Sequence, residues 1–146
     1  MAKVTASATK SLAASPDAVF HFLRSYREGR PRILTGNYSN YRVEAGGVGE
    51  GTIIAYHFAA GRRERDYRLT ASEGDNRSLT ERDELSSFVN EWTVSPGDAG
   101  STVTLKASWD GARGIGGFFE RRFAPRALHS IYDEVLAKLE AALASL

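Results

Sequence analysis

Cysteine is absent from the 146 residues of this chain, and an excess of charge of either sign is missing too. Without cysteine there is no disulfide, no thiol nucleophile and no cysteine-ligated zinc or iron–sulfur site. Lys and Arg number 19 against 18 Asp and Glu, so the formal net charge is +1. Nucleic-acid-binding proteins normally carry a clustered basic excess, and we therefore expect no nucleic-acid partner.

Long apolar runs are missing as well. No stretch approaches the ~20 apolar residues that a membrane-spanning helix needs, so we expect no stable insertion into a membrane. The first residues, Met1-Ala-Lys-Val-Thr, lack the apolar core of a signal peptide. We therefore predict a cytoplasmic protein. The length suits one domain over residues 1–146, large enough to bury a core without cross-links.

Metal-ligand and phosphate-binding patterns do not occur either. His21, His57 and His129 are far apart and fall on different predicted elements, so we predict no metal site and no cofactor. No G-x-S-x-G elbow supports a nucleophilic serine. The glycine-rich stretch at 46–51 lacks the lysine and the following helix of a phosphate-binding loop.

The last third of the chain carries the clearest positive pattern. Polar and apolar residues alternate over 101–109, which predicts a half-buried β-strand. Farther on, apolar residues recur every four positions, which predicts one long amphipathic helix. These are Phe119, Phe123, Ala127, Ile131, Val135, Leu139 and Leu143. A sheet and a helix each expose an apolar face to water, so we expect them to pack together.

The rest of the chain predicts a meander of strands after a short helical part. Residues 2–11 alternate as a first strand, and Ser15-Pro16-Asp17 has the composition of a helix start. A second short helical piece or a turn is predicted near 32–34. Further strands are predicted at 38–45, 51–59, 62–73, 78–85 and 87–95, with short turns that favour antiparallel pairing. The fold class is α+β: a curved antiparallel sheet of six or seven strands wrapped around the long C-terminal helix.

Three segments, in order along the chain, resemble the START-like superfamily, in particular its polyketide cyclase/dehydrase and lipid-transport branch. They are the start of the first helix at 14–23 (A-S-P-D-A-V-F-H-F-L), the turn at 46–52 (G-G-V-G-E-G-T), and the strand pair at 92–96 and 101–105. The resemblance implies the helix-grip fold. It also implies a cavity between sheet and C-terminal helix that holds an apolar or aromatic small molecule. It does not define an activity, because the family includes lipid carriers, hormone receptors and cyclases.

Strand alternation predicts which side chains face that helix. Aromatic rings converge from several strands, Phe58 and Phe88 among them, and from the helix. The candidate ligand-binding residues are Tyr56, Tyr67, Leu69, Glu81, Asn90, Trp92, Leu105, Trp109, Phe119 and Phe123. A filled aromatic core is the alternative interpretation, and the family resemblance favours the pocket.

Two polar residues fall on these inward faces. Asn90 lies between two aromatic positions, where an unpaired amide costs about 1–3 kcal/mol. It either pairs within the protein or orients a ligand, and the pattern does not separate the two. Glu81 is better interpreted as a solvated or ion-paired edge residue, with Arg68 or Arg82 as its partner. His57 is expected to be exposed.

The two glycine-rich segments suggest where a cavity opens. We predict a flexible mouth between the turn at 46–51 and the helix start at 114–125, because glycine leaves the backbone unrestricted. Pro125 either bends the long helix or begins its final part.

The favoured function is binding, as a carrier or sensor, of a small hydrophobic or aromatic molecule. The alternative is an enzyme of the polyketide cyclase/dehydratase type acting on an aromatic or polyketide-like substrate. Such an enzyme needs a positioned acid or base, and the inward candidates are Tyr56, Tyr67, Glu81 and Asn90. These four form no recognisable catalytic pair, which places the carrier or sensor first.

Overall fold

The computed structural model describes residues 3–61, 63–111 and 114–146, without the side chains of 114–124. Seven strands, two α-helices and one short 3₁₀ helix follow one another along these ranges. They are β1 (Lys3–Leu12), α1 (Pro16–Leu23), the 3₁₀ helix (Arg30–Ile33), β2 (Tyr38–Ala45), β3 (Ile53–Ala60), β4 (Arg63–Gly74), β5 (Ser78–Asp83), β6 (Val89–Gly97), β7 (Gly100–Asp110) and α2 (Gly114–Ala144). The predicted strands agree with these bounds to within about two residues.

All neighbouring strands of the sheet are antiparallel, in the order β1-β7-β6-β5-β4-β3-β2. Strands β2 to β7 form the meander that their short turns predict. Strand β1 joins the far end, where it pairs with β7 from Lys3↔Asp110 to Leu12↔Ser101. Helix α2 packs against β1 and the 3₁₀ helix. The predicted α+β helix-grip fold is confirmed.

Helix α1 begins as its sequence predicts. The Ser15 hydroxyl accepts a hydrogen bond from the Ala18 N–H at 3.2 Å, and Pro16 occupies the first turn, where no N–H partner is needed. The helix buries Val19, Phe22 and Leu23. It is thereby held against the sheet by its apolar face.

The glycine-rich turn at 46–51 is packed against the end of α1. The Tyr26 N–H donates to the Gly47 carbonyl, and the Gly49 N–H donates to the Arg24 carbonyl, both at 2.9 Å. Gly49 has a φ of 63°, and a Cβ there would overlap the side chains of Glu73 and Arg24. Glycine is therefore needed here for close approach and a left-handed backbone rather than for mobility.

The buried stripe of α2 is displaced from the predicted four-residue line. Tyr132, Val135, Leu136, Leu139 and Ala142 are buried, whereas Ile131 and Leu143 are only half-buried. An α-helix has 3.6 residues per turn, so a four-residue line drifts by about 40° at each step and leaves the contact face. Pro125 lies inside α2 rather than at its start. Neither described helix is apolar over enough of its length to cross a membrane.

Candidate ligand-binding site

A cavity of about 560 Å³ lies between the sheet and α2. Ligand pockets commonly enclose about 300–1,000 Å³, so this volume suits a small organic molecule. The described residues that line it are Tyr38, Tyr56, Phe58, Ala60, Arg63, Glu64, Arg65, Tyr67, Ser86, Ser87, Phe88, Trp109, Asp110, Ala127, Leu128 and Tyr132.

Six of these residues form a continuous series of ring contacts, which we call the aromatic wall. They are Trp109, Phe88, Tyr67, Tyr56, Tyr38 and Phe58, with neighbouring ring centroids 4.8 to 6.3 Å apart. Tyr56 on β3 and Tyr67 on β4 are directly paired across the two strands. Rings at such spacings attract one another through edge and offset contacts. The wall therefore presents an apolar surface of mutually supported rings.

Tyrosine hydroxyls add polar groups to this surface. Burial raises the pKa of Tyr38 and of Tyr56 well above the usual value, so both hydroxyls stay neutral. No hydrogen bond joins either hydroxyl to another residue in the part of the chain that the structure describes. Both side chains line the cavity. They can donate a hydrogen bond to a ligand oxygen or accept one from it.

Asn90 is held by the long helix. The Tyr132 hydroxyl donates to Asn90 Oδ1 at 2.6 Å, and both residues are buried. Of the two roles left open for this amide, pairing within the protein is present, with a helix side chain as the partner.

An ion pair lies deeper in the core, between the 3₁₀ helix and β5. Arg30 Nη1 donates to Glu81 Oε2 at 2.7 Å, and Nη2 donates to Oε1 at 3.2 Å. The Tyr26 hydroxyl donates to Oε2 at 2.6 Å, and Arg30 Nη1 also reaches the Leu23 carbonyl. The guanidinium carbon is 4.8 Å from the ring centroids of both Tyr26 and Trp92. Arg30 is therefore held by a carboxylate, a carbonyl and two aromatic faces.

Burial makes this ion pair a fixed feature of the core. Glu81 is 1% exposed and Arg30 is 6% exposed. Burial lowers the pKa of Arg30, but the charge and hydrogen bonds of Glu81, together with Tyr26 and Tyr41, outweigh it, and the pKa rises above its usual value. Burial and the nearby Glu81 charge both raise the pKa of Tyr26. The guanidinium thus stays charged and the phenol stays neutral.

The interpretation of Glu81 as an edge residue paired with Arg68 or Arg82 is wrong. Arg68 pairs instead with Glu44 and Glu84 on the outer face of the sheet. The true partner, Arg30, is 51 residues away in sequence, so no local spacing connects the two. The sequence does give one general indication of such a pair, because a charged residue on an inward strand face requires a buried partner from another element.

A second void, of about 20 Å³, lies next to this ion pair. Arg30, Glu81, Asn90 and Trp92 are among the residues that line it. Tyr38 and Tyr56 line both this void and the large cavity, so they separate the two spaces.

The structure divides the predicted site residues into three groups. Tyr56, Tyr67 and Trp109 line the large cavity. Glu81, Asn90, Trp92 and Leu105 line the small void, and Leu69 is a core residue that lines neither space. Phe119 and Phe123 lie outside the described side chains.

Several residues around these spaces were not among the predicted candidates. They are Tyr38, Phe58, Phe88 and Tyr132 at the cavity, and Arg30 and Tyr26 at the ion pair. Alternation already placed Phe58 and Phe88 on inward faces. Tyr38 lies at a strand end and Tyr132 beside the expected helix stripe, where periodicity gives a weaker signal.

The exposed part of the cavity lining is at the end of the sheet that holds the β3–β4 turn, the β5–β6 loop and the last residue of β7; Arg63, Ser87 and Asp110 are exposed there. Glu64 and Arg65 of β4 and Ala127 of α2 line the cavity and are exposed to solvent. The turn at 46–51 does not contribute, so that half of the predicted mouth is wrong. The other half, the helix start at 114–125, falls almost wholly outside the described side chains.

The histidines that the structure places do not converge. His57 is half-buried rather than exposed, and its Nδ1 is 2.8 Å from Asp66 Oδ1. On α2, His129 contacts the Ser7 carbonyl and Asp133. Neither histidine lines the cavity, and the described residues contain no cluster of three metal-ligating side chains.

Comparison with known proteins identifies the family. The model of the polyketide cyclase/dehydrase and lipid transport family matches residues 1–144. The chain is 40% identical to KanY, whose solution structure was determined by NMR, with a TM-score of 0.88 over 98% of this chain and 99% of that one. The chain therefore belongs to the polyketide cyclase/dehydrase and lipid transport family, a branch of the START-like helix-grip superfamily.

More distant solved structures share the fold. A protein from Thermus thermophilus is 18% identical, with a TM-score of 0.78 over 99% of this chain and 98% of that one. The di-domain ARO/CYC BexL is 13% identical, with a TM-score of 0.74 over 97% of this chain and 50% of that one. No functionally curated protein matches the chain.

Proposed function

We propose that this protein binds one small hydrophobic or aromatic molecule in the 560 Å³ cavity, as a carrier or sensor. The observation that carries the proposal is the aromatic wall. Six rings from β2, β3, β4, β7 and the residue before β6 line an open volume instead of closing over it. Membership of a family that includes lipid-transport proteins supports the proposal.

The wall suits a flat, apolar ligand. A ligand ring placed against Tyr67 or Phe88 gains aromatic contact with side chains that their neighbours already hold in position. Because the wall is ordered before the ligand binds, little side-chain entropy is lost on binding.

The inner end of the cavity favours a neutral ligand group. The buried charges of Arg30 and Glu81, next to the small void, compensate each other through two hydrogen bonds. Tyr38 and Tyr56 offer neutral hydroxyls. A ligand hydroxyl or carbonyl can pair with these groups, whereas a carboxylate buried here without a cation is strongly disfavoured.

A cyclase or dehydratase is the second candidate, and the hydroxyls of Tyr38 and Tyr56, which pair with none of the described residues, favour it. A neutral phenol can donate to a substrate carbonyl and polarise it. Glu81 is a poor candidate base, because Arg30 and Tyr26 already occupy its oxygens. BexL, a structural neighbour named as an ARO/CYC, belongs to the same fold. The cytoplasmic location and the lack of a nucleic-acid partner remain predictions from the sequence.

Fluorescence titration with N-phenylnaphthylamine, a neutral environment-sensitive dye, tests the binding proposal. We expect saturable binding of one dye per chain, with quenching of tryptophan emission because Trp109 lines the cavity. Ala60 lines the cavity, whereas its neighbour Ala59 does not. Ala60→Trp should fill the space and abolish binding, and the matched control Ala59→Trp should retain it.

Two outcomes would contradict binding in this cavity: no saturable signal in the wild type, or equal loss in both variants. Native mass spectrometry of a bound compound separates the two candidate functions. A carrier returns the compound unchanged and a dehydratase returns it short of one water, whereas a cyclase returns an isomer of equal mass, which NMR of the released compound identifies.

A further inference from the structure

The small void next to the ion pair has the size of a single-water site. Its volume is about 20 Å³. A cavity needs roughly 10–15 Å³ of such volume to hold one water, and the water needs two to four polar partners. Arg30, Glu81, Asn90 and Trp92 give the void a polar lining. Tyr38 and Tyr56 separate it from the ligand cavity.

Trp92, one of the residues that line this void, has a buried donor that requires a partner. It is 3% exposed, and its indole Nε1 has no hydrogen-bond acceptor among the described residues. Indole can only donate, and buried donors are nearly always paired. The ring is held against the guanidinium of Arg30, 4.8 Å from its centroid. The indole therefore has little freedom to turn toward another acceptor.

Glu81 has unused accepting capacity on the same side of the core. Its Oε2 accepts from the Tyr26 hydroxyl and from Arg30, whereas Oε1 accepts only from Arg30 among the described residues. A carboxylate oxygen has about two lone-pair directions, so Oε1 retains one. A molecule that both accepts and donates would satisfy Trp92 and Glu81 together.

We propose that this void is the binding site of one internal water molecule, which accepts a hydrogen bond from Trp92 Nε1 and donates one to Glu81 Oε1. Larger ligands are excluded by the volume. The water joins Trp92 to the Arg30–Glu81 pair, and the polar centre becomes a closed network. Tyr38 and Tyr56 line both spaces, so they lie between this network and the ligand cavity. The water site does not depend on the proposed ligand binding.

Water–protein NMR on the wild-type protein is the first test. The chain contains two tryptophans, so a ¹⁵N-labelled sample shows two indole N–H signals, which Trp109→Phe assigns by removing one. We expect the Trp92 indole proton to show a cross-relaxation peak to water with the sign of a long-lived bound molecule. A high-resolution crystal structure should show one density peak within hydrogen-bond distance of Trp92 Nε1 and Glu81.

The matched variant Trp92→Phe keeps an aromatic ring on Arg30 but removes the donor. We expect the density peak to be lost or displaced from the variant, while Trp109→Phe leaves it in place. A dry void in the wild type, with no water cross-peak at Trp92, would overturn the proposal. A direct bond from the Trp92 indole to a protein acceptor in that structure would do the same. The wild-type measurements decide the matter even if Trp92→Phe does not fold.

Discussion

Replacing Glu81 with Gln should be among the most destabilising single changes in the sheet. The substitution keeps the shape of the side chain but leaves the guanidinium of Arg30, 6% exposed, without its counter-charge. Removing one member of a buried ion pair typically costs about 3–5 kcal/mol of unfolding free energy. The amide oxygen of the new side chain can still accept from the Tyr26 hydroxyl, so this hydrogen bond contributes little to the loss of stability. Urea unfolding followed by circular dichroism measures the change.

The double variant Arg30→Met/Glu81→Leu distinguishes a charge effect from simple disruption. Replacing both members with apolar residues removes the unpaired charge, which is often neutral or stabilising. Here the Tyr26 hydroxyl loses its acceptor at 2.6 Å, which costs about 1–3 kcal/mol. We therefore expect the double variant to be about 2 kcal/mol less destabilised than Glu81→Gln. The effects of the single variants Arg30→Met and Glu81→Leu should not add up in it.

An exposed ion pair on the same sheet provides the control. Arg68 and Glu84 are 3.3 Å apart with side chains 47% and 39% exposed. Glu84→Gln should change the unfolding free energy by only about 0–1 kcal/mol. Equal effects of Glu81→Gln and Glu84→Gln, or additive effects of the two core substitutions, would refute this account of the buried pair.

Two further predictions concern the helix stripe and the tyrosines. Leu139→Ala should cost about 2–5 kcal/mol, because Leu139 is fully buried, and Ile131→Ala should cost clearly less. Equal losses of unfolding free energy in the two variants, measured by urea unfolding, would contradict the displaced position of the buried stripe. The pKa of Tyr41 is raised to about 12, mainly by burial, and the pKa values of Tyr26, Tyr38, Tyr56 and Tyr132 are raised further. The unfolded chain releases these protons first, near pH 10, so stability should fall as the pH rises above that value. Tyrosinate absorbance should then appear together with unfolding. Reversible ionisation of these five tyrosines at a pH below that of unfolding would refute this prediction.

Local patterns in the sequence predict most of this fold. Alternation gives the strands because each has one face on the core and one toward solvent, as at Val103, Leu105 and Ala107 of β7. The start of α1 follows from Ser15 and Pro16, whose effects act within one turn. Such features depend on neighbours in sequence, so the sequence alone reveals them.

The candidate site was harder to predict, because it depends on distant contacts. Tyr56, Tyr67 and Trp109 follow from alternation, but Arg30 joins the core only because Glu81 is there to receive it. The turn at 46–51 shows the same limit. A glycine-rich sequence is expected both for a flexible turn and for a turn that approaches another element closely. The close approach becomes visible only in the contacts of this turn with the end of α1.

The pairing of β1 with β7 has a consequence for biosynthesis. Lys3 pairs with Asp110, so the first strand to leave the ribosome has no partner until nearly all of the sheet has been made. Contacts between such distant segments slow folding, because a long loop must close before they form. The meander from β2 to β7 can assemble during synthesis, whereas β1 and α2 must dock last. Unpaired strand edges on the growing chain promote aggregation, and we expect newly made chains to depend on chaperones until α2 has emerged.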